Sequence, residues 1–295
     1  MKIPLDCIPC QIRHFINSAR MFTDDEKVIS EVLDYTLGIT SKYRSYDNIF
    51  KMYIDSNRII EKIGSGLDPY KGFREEINRI FLEAEPELKK IIKESLFPFE
   101  AALRISIAGN SIDVMQQGNH IISQKIIKNV LKTAFSQEID KSAIKRLYDE
   151  IIKAEKILFI GDNCGEIVLD RIFIEYLRDN LLYDKISKIT YVVRGGPALN
   201  DSTIEDAENT GMRSTVNVIT TGASIPAAYL PYSSEEFRKN YFSSDLIISK
   251  GQGNFEGLFD RHENIFFLLK IKCRTFERFF NNKYKTGDII IEQPL

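Results

Sequence analysis

The stretch Lys156-Ile157-Leu158-Phe159-Ile160-Gly161-Asp162-Asn163-Cys164-Gly165-Glu166 decides the fold. Its apolar run shows no polar alternation, as expected of a strand covered on both faces. Gly161 and Asp162 end the run, and a helical pattern comes next over 167–181. Strand, glycine-bearing turn and helix form the first half of a parallel crossover unit. The same grammar repeats downstream. Apolar runs at 189–193, 215–219, 246–249, 265–269 and 288–291 predict further strands, and 235–241 predicts another helix. Such alternation implies parallel strands joined by right-handed crossovers.

Upstream of 155 the pattern is different. Apolar residues recur at helical spacing, and β-branched runs of period two are scarce. Helices are predicted over 31–37 with Asp24 as cap, around Ile49, Met52, Tyr53 and Ile60, and over 72–92. Pro98 opens another over 99–108, and 121–135 and 143–154 read as two more. The predicted fold class is therefore α/β. A helical N-terminal region, 1–155, contributes to a cleft, and a parallel, Rossmann-like three-layer sheet domain, 156–295, carries the binding chemistry.

Composition narrows the function classes. The 295 residues hold 40 Lys plus Arg against 42 Asp plus Glu, so the broad basic footprint of a nucleic-acid binder is missing. No apolar run approaches the roughly 18 residues that span a membrane. The first residues lack the apolar centre of a signal peptide. Four cysteines in a chain of this length do not make a disulfide scaffold. A cytoplasmic protein acting on a small molecule is expected, with no nucleic-acid or membrane partner.

Ligands of parallel sheets bind beyond the carboxyl ends of the strands, so the residues after each strand carry the most information. Asp162 and Asn163 come after the first strand, and Asp201 after the second. Two carboxylates and an amide oxygen suit a hard divalent cation such as Mg²⁺ or Mn²⁺. The competing reading is plain helix capping, which Asn200-Asp201 satisfies equally well. Lys250-Gly251-Gln252-Gly253-Asn254 comes after the fourth strand and places positive charge and glycine backbone opposite the acids, as a phosphate ester requires. The Gly251, Gly253, Gly257 spacing also occurs in nucleotide folds, but there it lies after the first strand and precedes an acid. Likewise, a methyl-donor fold wants an acid at the end of the second strand, where Arg194 stands.

These motifs resemble one family. Gly161-Asp162-Asn163-Cys164-Gly165-Glu166, the run from Arg194 to Asp201 and the run from Lys250 to Glu256 are similar to the damage-control phosphatases, also known as domain of unknown function 89. Ala108 to Asp113 and the Cys7-x-x-Cys10 pair resemble its archaeal and bacterial branch. The likeness runs from about residue 1 to about residue 275. It implies hydrolysis of phosphate esters with Mn, Co, Ni or Mg. It also implies that Asp162, Asn163 and Asp201 hold the metal and that Lys250 touches phosphate. The segment with Asn110 and Asp113 is expected beside the cleft, and Glu166, Arg194, Gly251, Gly253 and Asn254 are expected around the substrate. Cys164 stands where the motif often has Ala. Some relatives have been described as carboxyl methyltransferases.

Cys7 and Cys10 have metal-clip spacing, which is half of a zinc site. Cys273 is a candidate third thiolate, and His14 lies one helical turn past Cys10. Packing of both cysteines on an N-terminal helix is the alternative. The expected function is a metal-dependent phosphatase for a small sugar, nucleotide or cofactor phosphate. The alternatives are an S-adenosylmethionine-dependent carboxyl methyltransferase and a non-enzymatic metal- or phosphate-binding module.

Overall fold

The structure, a computed structural model, describes residues 3–111, 125–260 and 264–293. Asp113, His120 and His262 lie outside the described residues, as does the start of the helix predicted from 121. The chain groups into two compact units. One takes in the described chain up to Gly72, and the other the described residues from Phe73 onward. Residue 155 marks where helices give way to strands, whereas the compact units divide near residue 72. No described helix is long and apolar enough to cross a membrane.

Helices α1 (Cys7–Arg20), α2 (Glu26–Thr40) and α3 (Ile49–Ile63) build the first unit. The cap of α2 is Asp25, whose carboxylate accepts from the Lys27 N–H, so the predicted cap, Asp24, is one residue early. Phe15, Val32, Met52 and Tyr53 are buried here. His14 is 4% exposed and stacks near Tyr53, with ring centroids 5.7 Å apart. Burial pushes its imidazole down to about 3, so it is neutral.

Helix α4 (Lys71–Glu94) leads into the second unit, followed by α5 (Pro98–Ala108), α6 (Lys125–Ser136) and α7 (Lys141–Lys153). The sheet then begins. In chain order come β1 (Ile157–Ile160), α8 (Glu166–Leu177), β2 (Ile189–Val193), α9 (Ile204–Asn209), α10 (Met212–Thr215) and β3 (Asn217–Thr220). After them come α11 (Glu235–Ser243), β4 (Leu246–Lys250), α12 (Gln252–Leu258), β5 (Ile265–Lys270), α13 (Arg274–Phe279) and β6 (Ile289–Glu292). The six strands lie in the order β3-β2-β1-β4-β5-β6.

The run that opens β1 is buried on both faces. Ile157 and Phe159 join the apolar layer of α4 to α8, while Leu158 and Ile160 join the layer of α11 to α13. Both faces are dry, so no polar residue alternates along the strand. The first five strands are parallel, and β6 pairs antiparallel with β5. The reason is local. The α13 excursion leaves and returns at the same end of β5, where Ile271 N–H bonds Asp288 C=O and Gly287 N–H bonds Ile271 C=O. No crossover is made, so the strand must run back. On the outer edge of β6, Gln137 donates to Gly287 C=O at 2.9 Å and accepts from Ile289 N–H at 2.8 Å.

Chain order reverses between β1 and β4: β1 leads outward to β2 and β3, and β4 returns to its other side. Ligand crevices form at such switch points.

Candidate active site

The loops after β1 and β2 are laced together. Ser202 N–H bonds Asp162 C=O and Cys164 N–H bonds Asn200 C=O, each at 2.8 Å. Asn163 and Asp201 thus face each other across an antiparallel bridge. The helix-cap reading of Asp201 fails two residues further on. There Thr203 caps α9, in a capping box with Asp206, and Asp201 is left to the site. Leu199 has φ 56° on the way into this loop, a left-handed turn costing a branched residue about 1–2 kcal/mol.

Helix α4 pins both loops from behind. Arg74 pairs with Asp206 at 2.9 Å, and Asn78 donates to Asp206 at 2.8 Å. The Asn78 amide oxygen accepts from Gly165 N–H at 2.7 Å. One acid and one amide therefore set the spacing of two loops that lie far apart in sequence.

Asp162 and Asp201 are 6% and 3% exposed. Asp162 Oδ2 accepts from Asn110 at 2.9 Å and from Asn163 at 2.7 Å. Arg194, 1% exposed, donates to Asp162 Oδ1 at 3.1 Å and to Asp201 Oδ2 at 2.5 Å. Its Nη1 has no hydrogen-bond partner among the described residues. Burial, with Asp201 and Glu166 adding like charge, pushes the Asp162 carboxyl up to about 7, against the pull of Lys272 and Arg194. Asp201 is raised as well, by burial first, with Arg194 opposing. Asn163 turns its NH₂ toward Asp162 and Glu166 and its Oδ1 toward Asn200.

Lys250 lies beneath this corner and is fully buried. Its ammonium sits 2.8 Å from Glu166 and 2.5 Å from Asp170, and it donates to Ser106 C=O at 2.9 Å. Burial works against its charge, but Asp170 and Glu166 outweigh burial and hold the amine above its ordinary value. Asp170 also accepts from Ser106 and from Tyr191. Burial raises its carboxyl to about 6, and Lys250 pulls the other way. Asn110 joins the two levels, donating to Asp162 and, at 3.3 Å, to Glu166, while its oxygen accepts from Lys270 N–H.

The chain as a whole has relatives. Residues 3–286 match the family model of the damage-control phosphatase ARMT1-like domain. An uncharacterised protein of Methanocaldococcus jannaschii is 34% identical, with 93% of this chain and 90% of the relative covered. A damage-control phosphatase of Pyrococcus horikoshii is 32% identical, with 94% of each chain covered. The crystal structure of a DUF89 family protein from the same organism superposes over 100% of both chains with a TM-score of 0.83, at 26% identity. The chain belongs to the ARMT1-like damage-control phosphatase family.

Within the second unit, the glycines and the amide of the β4 loop differ in what they touch. Gly251 has φ 81°, and a Cβ there would meet Asp162 Oδ2 at 1.9 Å, so only glycine lets the β4 loop touch the acid. Gly253 instead makes room for Pro226 C=O, 2.3 Å from where its Cβ would be. Asn254 commits its side chain to backbone, bonding Ala228 N–H, Gly161 C=O and Lys250 C=O. Cys7 and Cys10 stand in the first turn of α1 in the first unit, and Cys273 occupies the position before α13 in the second without a side-chain capping bond. None of the four cysteines is in a disulfide.

Sequence reasoning missed Asp170 and Lys272. Asp170 is one turn beyond Glu166, so the i, i+4 spacing of two acids in the first turns of a largely apolar helix was the available signal. Lys272 comes after β5 and is half-buried, and its N–H bonds Gln252 Oε1 at 3.1 Å at the start of α12. Its charge bears on Asp162, Asp201 and Glu256. Lying two residues past the end of a strand, it fell just outside the positions read as site residues.

Proposed function

We propose that this chain is a metal-dependent phosphoric monoester hydrolase acting on a small phosphorylated metabolite: a sugar, nucleotide or cofactor phosphate, including damaged forms. The observation that carries the reading is the Asn163–Asp201 bridge at the switch point, which brings two carboxylates and an amide together at the carboxyl edge of the sheet. The family names of its relatives support phosphate chemistry.

The donor set fits a divalent cation such as Mn²⁺, Co²⁺, Ni²⁺ or Mg²⁺. Oxygen donors suit hard cations, and Asp162 and Asp201 stand close together in a buried corner where, despite Arg194 and Lys272, burial and like charge still hold the Asp162 carboxyl above its ordinary value. Among the described residues no three His, Cys, Asp or Glu side chains form a ready cage. The metal would therefore be held by Asp162, Asp201 and Asn163, with the Asn163 carboxamide rotated, and by water and substrate oxygens. Such a cation polarises a phosphoryl oxygen and lowers the pKa of a bound water.

The chain's own groups do the rest. Asn110 orients Asp162 and Glu166. Arg194 Nη1 and Lys272 offset charge on the phosphate. Lys250, enclosed by Glu166, Asp170 and Ser106, serves the site through Glu166. The methyl-donor reading needs an acid at the end of β2, and Arg194 stands there.

Chelator-stripped protein is expected to lose hydrolysis of an aryl phosphate and to regain it with Mn²⁺ or Co²⁺. Asp162→Ala is expected to abolish it. Turnover that ignores the metal, or survives Asp162→Ala, overturns the mechanism.

A further inference from the structure

Arg194 holds an unusual place for a corner read as binding a divalent cation. Its guanidinium bridges the same two carboxylates that the cation would use, through Nε to Asp201 Oδ2 at 2.5 Å and Nη2 to Asp162 Oδ1 at 3.1 Å. The side chain is 1% exposed, so solvent screens neither contact. An arginine in a protein does not deprotonate, so this charge leaves the acids only by moving. The remaining oxygen of Asp162 is already taken, because Oδ2 accepts from both Asn110 and Asn163. A cation at Asp162 Oδ2 therefore meets these amides, and one drawn between Asp162 Oδ1 and Asp201 Oδ2 meets the guanidinium that already spans them. The third nitrogen, Nη1, is buried and has no partner among the described residues.

We infer that Arg194 is the built-in counter-cation of the acidic corner, that a divalent cation displaces it by charge repulsion from at least one aspartate, and that the displaced guanidinium becomes a donor pair for substrate phosphate. The inference rests on the metal-phosphatase reading of the same site and adds a coupling to it. While it bridges the acids, the guanidinium stabilises a buried like-charged pair that would otherwise be strained. Once displaced, Nη2 joins Nη1 in facing the anion, a fork geometry that suits phosphate. Cation and phosphate then bind cooperatively, because the first frees the ligand of the second.

Calorimetry separates the parts. Mn²⁺ is titrated into metal-free wild type, R194Q and R194K, and inorganic phosphate into each protein with and without Mn²⁺. R194Q is expected to bind Mn²⁺ more tightly, on the order of tenfold or more, because a like charge beside the cation is gone. R194K, which keeps the charge but not the fork, is expected to stay near wild type for Mn²⁺ and to lose phosphate affinity. Phosphate is expected to bind wild type more tightly with Mn²⁺ present, and this gain is expected to be lost in R194Q. R194Q that binds Mn²⁺ no more tightly than wild type overturns the inference.

R194Q leaves two buried acids without their partner, so a second measurement uses wild type alone. With ¹⁵N-labelled arginine, the protected Nε–H resonance of Arg194 is expected to shift as Mg²⁺ saturates the site. Mg²⁺ binding that leaves this resonance unmoved overturns displacement. A wild type that binds no divalent cation at millimolar concentration fails earlier, at the metal reading itself.

Discussion

Gly251→Ala would place a methyl group 1.9 Å from an Asp162 carboxylate oxygen, at a backbone φ of 81°. Both facts resist relief, because the carboxylate is held by Asn110, Asn163 and Arg194. The variant is expected to fold less stably by about 1–3 kcal/mol and to bind Mn²⁺ weakly, as read by urea titration and calorimetry. His14 allows a pH prediction in the other unit. Its imidazole titrates near 6.5 when unfolded and is held down to about 3 by burial when folded. Below 6.5 the unfolded chain takes up a proton that the folded chain refuses, so stability falls as pH drops. The loss is about 1.4 kcal/mol per unit until pH nears 3. His14→Phe is expected to remove this increment, seen as a shallower acid slope in denaturant titrations than wild type shows. Residue identity alone does not reveal which lysine is buried. Lys250 and Lys272 both lie at strand ends near the switch point, but the first is enclosed by Glu166 and Asp170 while the second is half-buried beside Gln252. That difference comes from α8 and α5 packing over β4, which no local pattern encodes.

At the scale of elements, α4 acts as a clamp. Arg74 and Asn78 sit one turn apart and hold Asp206 and Gly165, and so the two loops that present Asp201 and Asp162. Arg74→Met is expected to cost about 3–5 kcal/mol in urea unfolding, since it strands a buried carboxylate. It is also expected to weaken Mn²⁺ binding, although Arg74 is bonded to neither aspartate. The strands themselves are legible in the sequence because two-faced burial leaves an unbroken apolar run, as at 157–160 and 265–269. Adjacency of the β1 and β2 loops is legible only as a consequence of strand order. The bridge at Asn163–Asp201 and the cap at Thr203, which free Asp201 for the site, emerge only in the folded chain. The reversal of β6 is hidden for a similar reason: the same apolar run serves either direction, and the choice lies in where the α13 excursion returns.

At the scale of the whole molecule, a cation that binds only the folded chain must raise its stability. Mn²⁺ at about 100 times its dissociation constant is expected to add about 2.7 kcal/mol, and chelator to remove it, as read by thermal melts. Asp162→Ala is expected to melt at the same temperature with and without the metal.

Gln137 carries a consequence for behaviour in concentrated solution. Its carboxamide gives the outer rim of β6 one donor and one acceptor, at Gly287 and Ile289, as a neighbouring strand would. A bare rim of this kind recruits strands from other molecules. The side chain therefore works as a decoy strand one residue long. Gln137→Ala would leave the interior intact yet make the protein sticky, with light scattering expected to rise on mild heating well below the unfolding transition.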